Sequence, residues 1–157
     1  MILLKGEELT LGNSQNPIHL NLINIKKCYP ALTEEPLLFQ NLKIISEPQA
    51  IIILNHPNFE WEFNIKKLIE LPDKIHMLEV YNGHPTVMSD GDTQHTSVLE
   101  KWELANAVRI YQNKKILLAN AADDAHDFME FSKELSNPFR FFIMVQAPSL
   151  DQKAIIE

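Results

Sequence analysis

Apolar runs separated by polar punctuation predict that strands and helices alternate along most of this chain. The continuous apolar run at residues 50–54 has the pattern of a strand covered on both faces, and further strands are predicted near residues 75–81 and at the apolar run 116–118. A helix is predicted at about residues 64–69, ended by Pro72. A longer helix begins at Ser97, which forms a capping box with Glu100. This alternation is typical of a parallel α/β arrangement.

The N-terminal segment has a different pattern, which predicts a β-hairpin. Apolar residues at 2–4 and 18–25 flank the stretch TLGNSQNP, which is too short for the crossover that parallel strands need. If the turn centres near Asn13 and Ser14, Glu8 faces His19 across the hairpin. Their β-carbons are then expected to lie roughly 5 Å apart.

Weaker patterns complete the predicted order of elements. A short helix is expected at about residues 37–44, and the spacing of Phe128, Phe131 and Leu135 predicts a helix after the third apolar run. The stretch NPFRFFIMVQAP reads as a last strand, and residues 150–156 begin a further helix. On the long helix, Val98, Trp102, Ala105 and Val108 are expected to form the apolar face.

Composition narrows the class of protein. The 157 residues suggest one domain, and 14 basic against 21 acidic residues give a net charge of −7 without a basic cluster, so nucleic acid is not an expected partner. The sequence has neither an apolar stretch of membrane-spanning length nor a signal-peptide pattern, which predicts a cytoplasmic protein away from membranes. Cys28 is the single cysteine, so a disulfide within one chain is excluded.

Groups able to bind a metal recur where the predicted strands end. Since such ends converge on one edge in α/β proteins, we expect them to lie together. Imidazole and carboxylate sets suit divalent Mn, Fe or Zn. Each group also has a simpler interpretation: Asp124 as a helix N-cap, His56 as a loop cap and Glu8 as a surface acid. The groups are Glu8, Asn55, His56, Asn82, His84, Asp123, Asp124 and His126.

Several motifs in this order resemble the polymerase and histidinol phosphatase (PHP) superfamily of metal-dependent phosphoesterases. They are KGEELT, IHLNLINI, IILNHPNFEW, LEVYNGHP, EKWELANAVRIYQNKKILLANAADDAHDF and NPFRFFIMVQAPSL, and together they cover nearly the whole chain. The resemblance implies a distorted (β/α) barrel whose mouth holds divalent metals that hydrolyse phosphate esters.

Carried over by matching motif, the resemblance implies a specific set of site residues. The metal ligands would be Glu8, His19, His56, Asp124 and His126, and the substrate-binding residues would be Asn82 and His84. The implied cofactor is divalent Mn, Fe or Zn, and the implied substrate is a small phosphorylated molecule.

The sequence departs from the family pattern at its beginning, where members carry a His-x-His pair on the first strand. We therefore expect a single, N-terminally truncated PHP-like domain over residues 1–157: a partial, distorted barrel with mostly parallel strands and an N-terminal hairpin. The apolar edge at Met1 to Lys5 favours a homo-oligomer or a partner that completes the barrel.

Three functions remain open from the sequence. The first is a metal-dependent phosphoesterase that is weak or inactive as an isolated chain. The second is a non-catalytic metal-binding or assembly module derived from a PHP hydrolase. The third is a metal-free structural protein.

Overall fold

Five strands form one open sheet in the computed structural model, which describes residues 2–12, 17–31, 41–59 and 63–156. The strands are β1 (Gly6–Leu11), β2 (Ile18–Ile23), β3 (Ile51–Leu54), β4 (Met77–Asn82) and β5 (Leu118–Ala122), and they lie in the sheet in that order. Strand β2 is antiparallel to both β1 and β3, whereas β3, β4 and β5 are parallel to one another. The sheet is therefore mixed.

The predicted partial barrel is wrong, because β1 and β5 are the two edges of the sheet and do not pair. Closing a barrel would require those two strands to be neighbours. The architecture is closer to open, flavodoxin-like α/β sheets than to a TIM-type barrel, although the consecutive strand order differs from the 2-1-3-4-5 order of flavodoxin. The predicted hairpin and the parallel pairing of the later strands are confirmed.

Helices connect the parallel strands. Helix α1 (Ile65–Glu70) begins where the Asn64 side chain accepts a hydrogen bond from the Lys67 N–H, and it ends before Pro72. Helix α2 (Val98–Tyr111) begins at Ser97, whose side chain accepts from the Glu100 N–H, as the capping box predicts. A 3₁₀ helix spans Asn41–Ile44, and α3 (Gln152–Ile156) lies near the C-terminus. The predicted helix at residues 37–44 lies partly outside the described residues.

The buried face of α2 differs from the predicted one. Val98 and Ala105 are buried as expected, but Lys101, Asn106 and Arg109 are buried with them. Each of these polar side chains has a partner. Lys101 donates to the Asn58 side chain, Asn106 exchanges hydrogen bonds with the Leu117 backbone, and Arg109 donates to the Leu71 carbonyl. Burying polar groups is tolerated there because their hydrogen bonds are satisfied.

One hydrophobic core lies between the sheet and the helices. Strand β2 alternates between buried and half-buried residues, as expected for a strand with one covered face. Burial of each Leu or Ile side chain contributes about 1.5–3 kcal/mol relative to exposure. The core includes Leu9, Leu20, Leu22, Ile52, Leu54, Leu68, Leu71, Ile75, Leu78, Ala105 and Leu117.

The register of the hairpin is shifted by two residues from the predicted one. Glu8 pairs with Asn21 and Thr10 pairs with His19, so Glu8 and His19 are diagonal rather than direct neighbours. A shift of two residues keeps both side chains on the same face, since side chains alternate with a period of two. The predicted turn centre at residues 13 and 14 lies outside the described residues, and β1 begins at Gly6 rather than in the apolar run before it.

Two C-terminal elements predicted from apolar patterns are wrong. Residues 126–135 contain no helix and residues 137–148 contain no strand; both are described as turns and extended loop. Phe139 has φ +69°, which interrupts a strand. The third apolar run also contributes a later strand than expected, beginning at Leu118. The predicted C-terminal helix is confirmed as α3.

Within the described ranges, none of the helices has the length and apolar content that crossing a bilayer requires.

The expectation of a single domain over residues 1–157 stays a prediction.

Candidate functional site

The predicted ligands converge on one edge of the sheet. Strands β3, β4 and β5 are parallel, so their carboxyl ends meet there, and the antiparallel β2 begins at the same edge. The Asn55 N–H donates to the His19 carbonyl at 3.0 Å, which ties the end of β3 to the start of β2. A pocket of about 190 Å³ at this edge is lined by Phe59, His84 and all five predicted metal ligands, Glu8, His19, His56, Asp124 and His126.

Three of these side chains form a compact group. Glu8 Oε1 lies 2.9 Å from His19 Nδ1, which lies 2.8 Å from His56 Nε2. One ligand atom from each of Glu8, His19 and His56 lies within 4.8 Å of the others. One carboxylate and two imidazoles at this separation could donate three ligand atoms to a single divalent ion.

The electrostatic environment favours the carboxylate form of Glu8. Its hydrogen bond to His19 lowers the pKa of Glu8, and the charges of His19, His56 and His126 act in the same direction, whereas burial opposes the shift. A deprotonated carboxylate is the form that binds a metal.

His56 is held in an unusual backbone conformation directly after β3. Its φ is +23°, and its N–H donates to the buried Glu79 carboxylate at 2.6 Å. A positive φ is uncommon outside glycine and costs free energy, so the surrounding structure must maintain it. Burial opposes charge on the ring, but the hydrogen bond and charge of Glu79, with the charges of Glu8 and Asp124, outweigh it and raise the pKa of His56.

Glu79 is a site residue that the sequence reasoning missed. Its side chain is 2% exposed and accepts hydrogen bonds from the His56 N–H and from the Asn82 side chain, the latter at 2.9 Å. Glu79 Oε2 also lies 3.6 Å from His56 Nδ1. The available signal was a carboxylate inside the otherwise apolar strand MLEVYN, where an acid is costly to bury without partners.

An irregularity in β4 brings Glu79 and Asn82 to the same side of the sheet. Residues an odd number apart point to opposite faces of a regular strand. The register with β5 shifts between Glu79 and Tyr81, which leaves Val80 as the extra residue of a β-bulge. The bulge therefore explains how Asn82 can contact both Glu79 and Asp124.

Asp124 and His126 lie farther from the group of three. Asp124 Oδ2 is 3.9 Å from His56 Nδ1 and accepts a hydrogen bond from Asn82 Nδ2 at 3.2 Å. His126 Nδ1 lies 2.8 Å from the Asp124 carbonyl oxygen, and its ring centroid is 5.4 Å from that of His84. Asp124 has φ +49° and is followed by loop in the described chain, so the N-cap interpretation is wrong.

Asp123 has a structural role beside them. Its two oxygens accept hydrogen bonds from three consecutive backbone N–H groups, those of Phe139, Arg140 and Phe141, at 2.6–2.7 Å. Burial acts to raise the pKa of Asp123, but these three hydrogen bonds outweigh it and lower that pKa. The two adjacent aspartates therefore have different roles: Asp123 holds a loop by hydrogen bonds, and Asp124 faces the pocket.

Of the two predicted substrate-binding residues, His84 lines this pocket, whereas Asn82 lies behind it in contact with Asp124. Asn82 is 4% exposed, and its side chain is engaged with Glu79, Asp124 and the His84 N–H, so it orients its neighbours. The His84 ring is half-buried and lines the pocket. Contact of either residue with a substrate stays a prediction.

Comparison with known proteins identifies a relative among the subunits of an ATP synthase. The F subunit of the A-type ATP synthase of Methanothrix thermoacetophila is 29% identical to this chain over 106 residues, which cover 68% of this chain and 99% of that protein. No protein-family model matches the chain. No solved structure matches it either.

These findings correct the interpretation drawn from the sequence motifs. The relative is named as an ATP synthase subunit rather than a phosphoesterase, and the sheet is open rather than barrel-shaped. The resemblance to the PHP superfamily is therefore wrong. The predicted phosphoesterase activity and the alternative of a module derived from a PHP hydrolase rested on that resemblance, and both are wrong as well. The convergence of Glu8, His19 and His56 is independent of that resemblance, because it is a property of this fold.

Proposed function

We propose that this chain is a subunit of a multi-protein complex of the A-type ATP synthase kind. The observation that carries the proposal is its similarity to the F subunit of such a synthase, which extends over 99% of that protein. A protein that works as a subunit needs a surface for its neighbours, and this chain offers one.

The surface that suits a neighbouring subunit consists of exposed apolar side chains in the loops after β5. We call it the apolar loop surface. Large exposed apolar side chains in one region mark interaction sites in proteins that are otherwise polar outside. A neighbouring subunit that covered them would remove this area from water. The surface comprises Phe128, Met129, Phe139, Phe142 and Met144, which are 64–94% exposed.

Purification of the tagged full-length chain from its source cells tests this proposal. We expect it to be recovered with ATP synthase subunits identified by mass spectrometry. Phe139→Ser and Phe142→Ser together should reduce that recovery at least tenfold. Tyr111→Ser is the matched control, because Tyr111 is 88% exposed on α2, away from the apolar loop surface.

Two results would contradict the proposal. One is recovery of the chain without any synthase subunit. The other is equal recovery of those subunits by the double variant, with circular dichroism showing that all three proteins are folded. Association of the chain with itself stays a separate prediction, which light scattering of the purified protein tests.

We further propose that Glu8, His19 and His56 bind one divalent cation in the pocket that Asp124 and His126 also line. The support is the compact arrangement of three ligand atoms and the conditions that keep Glu8 ionised. Imidazole with carboxylate accepts zinc, manganese or iron, so the donor set does not select among these metals. A bound ion would stabilise the folded chain, since it joins β1, β2 and the end of β3.

Elemental analysis of protein purified without chelator tests the metal site. About one equivalent of metal is expected in the wild type, and it should be lost in His56→Ala and in Glu8→Gln. His95→Ala is the control, because His95 pairs with Asp92 in another loop. Absence of metal after soaking with excess zinc or manganese, or full retention in both variants, would contradict the proposal.

A further inference from the structure

A second and larger cavity lies next to the pocket of the proposed metal site. It is an open cleft of about 960 Å³ between the end of β4 with the loop that follows it and the segment 131–141. Its volume is near the upper end of the range usual for small-molecule sites, about 300–1,000 Å³. His84 lines both the cleft and the smaller pocket, so the two cavities are neighbours.

Aromatic side chains form one wall of the cleft. The rings of Tyr81 and Phe141 lie 4.5 Å apart between centroids at an interplanar angle of 33°, and Phe131 lies at the same cleft with 66% of its surface exposed. Gly83 lets the Phe141 ring approach the backbone after β4, because a β-carbon there would lie 2.8 Å from Phe141 Cδ2. Such ring faces suit a flat aromatic ligand, which stacks or packs edge-on against them.

Two basic side chains line the cleft, although the chain has a net charge of −7. Arg140 is held in place, since its Nη2 donates to the Ser132 carbonyl and, at 2.9 Å, to Asn137 Oδ1. Lys133 is exposed and lies on the solvent side of the cleft.

Three carboxylates near the cleft are already engaged by donors other than the Lys133 and Arg140 side chains. Glu134 accepts a hydrogen bond from the Ser132 hydroxyl at 2.8 Å, although the charge of Arg140 also acts on it. Asp90 accepts a hydrogen bond from the Tyr81 hydroxyl at 3.0 Å, and Asp123 accepts from the backbone of residues 139–141. The two cations are therefore placed to meet an anionic group of a ligand.

We propose that the cleft binds a small organic anion that carries an aromatic ring, with the ring against Tyr81 and Phe141 and the anionic group between Lys133 and Arg140. The shared chemistry is a planar ring joined to a phosphate or a carboxylate. This site does not depend on the proposed metal site or on a partner subunit, because its lining residues all belong to the described chain and include neither Glu8, His19 nor His56.

Isothermal titration calorimetry of the full-length chain tests the proposal with two probes. Adenosine 5′-monophosphate carries a phosphate and indole-3-acetate carries a carboxylate. Binding of either probe is expected, and the probe that binds more tightly identifies the preferred anionic group. Adenosine and inorganic phosphate, each of which has half of the recognised chemistry, are expected to bind at least tenfold more weakly.

Variants separate this cleft from other surfaces. Lys133→Ala and Tyr81→Leu should each weaken binding about tenfold, whereas Lys66→Ala, an exposed lysine on α1, should leave it unchanged. Lys133→Ala is the safer test, because Arg140 also supports the loop. Addition of a chelator should not alter the affinity, which distinguishes this site from the metal site. The proposal is overturned if neither probe binds at millimolar concentration or if both variants bind as the wild type does.

Discussion

His19 Nδ1 lies 2.8 Å from His56 Nε2, although 37 residues separate the two histidines in the chain. At this distance one ring nitrogen must donate a hydrogen and the other must accept it, so the two nitrogens cannot both carry one. The Glu8 carboxylate, 2.9 Å from the same His19 nitrogen, then competes for that hydrogen. A divalent ion could accept a ligand atom from each of the three side chains, which is the basis of the proposed metal site.

The protonation of His56 should depend on Glu79. Burial disfavours the charged ring, and Glu79 is the main group that overcomes this effect, so Glu79→Gln should lower the pKa of His56. The substitution keeps an oxygen that can accept from the His56 N–H while it removes the charge. Titration of the His56 ring signals by NMR in metal-free protein measures the change. Glu103→Gln, on the exposed side of α2, serves as the control, and identical titration curves in the Glu79 variant and the wild type would contradict this assignment.

Much of the sheet could be predicted from local sequence patterns. The runs at residues 51–54 and 77–82 form interior strands whose side chains are buried or half-buried, so their apolar content reflects that burial. The hairpin register was wrong by two residues, but the face of each side chain was right because pairing errors of two preserve it. For that reason the predicted contact between Glu8 and His19 was correct although the register was not.

The C-terminal third could not be predicted in the same way. Its apolar stripe between Phe128 and Leu135 resembles that of a helix, but the Asn137 side chain binds the carbonyls of Asp127 and Glu130 and the N–H of Ser132. Such side-chain hydrogen bonds hold the backbone in a loop and compete with helix formation. These bonds span 5 to 10 residues, so the three- and four-residue spacing of the apolar stripe does not reveal them.

Two further features depend on contacts between segments that are far apart in the sequence. The bulge at Val80 turns Glu79 and Asn82 to the same side, and a regular strand pattern predicts that they point apart. The clamp of Asp123 on residues 139–141 removes the backbone donors that a last strand would need, so the apolar run there stays outside the sheet. The barrel that the family resemblance implied was wrong for a related reason, because the order of motifs does not determine whether a sheet closes.

Removal of the Asp123 carboxylate should loosen the loop that it clamps. Asp123→Ala would leave three backbone N–H groups without their acceptor, and we expect a loss of about 2 kcal/mol in the free energy of unfolding. Urea unfolding followed by circular dichroism measures the loss. Hydrogen exchange should also become faster at the amides of residues 139–141. Glu103→Ala should change neither quantity, and unchanged exchange in the Asp123 variant would exclude the clamp.

Substitution of the buried Arg109 should strongly destabilise the fold. Its side chain is 0% exposed, and it donates to the carbonyls at the end of α1, to the Lys115 carbonyl and to Asp73. Arg109→Met should lower the free energy of unfolding by about 3 kcal/mol, because several buried carbonyls lose their donor.

Arg109→Lys should recover only part of that loss, since an ammonium group cannot reproduce the fork of a guanidinium. Urea unfolding of both variants measures the difference, with Lys66→Met on the exposed side of α1 as the control. Full recovery by lysine would show that charge alone, rather than the geometry of the donors, is what this position requires.

The stability of the fold should fall in mild acid because of His76. Burial and the nearby charges of Lys115 and Lys74 lower the pKa of His76 below the ordinary value of 6.5. Its Nδ1 accepts a hydrogen bond from the Ile52 N–H at 3.0 Å, which requires the neutral ring. As the pH falls through 6.5, the unfolded chain takes up a proton that the folded chain resists, so stability is complete above that pH and declines below it.

His76→Asn isolates this contribution, because the asparagine side-chain oxygen can accept from the same N–H but does not titrate. Free energies of unfolding measured by urea denaturation at intervals between pH 8 and pH 5 should fall less steeply in the variant than in the wild type. Carboxylate titration affects both proteins equally, so the difference between the two curves belongs to His76. Parallel curves across that range would mean that His76 titrates alike in the folded and unfolded chains, which is incompatible with its role as a neutral acceptor between β3 and β4.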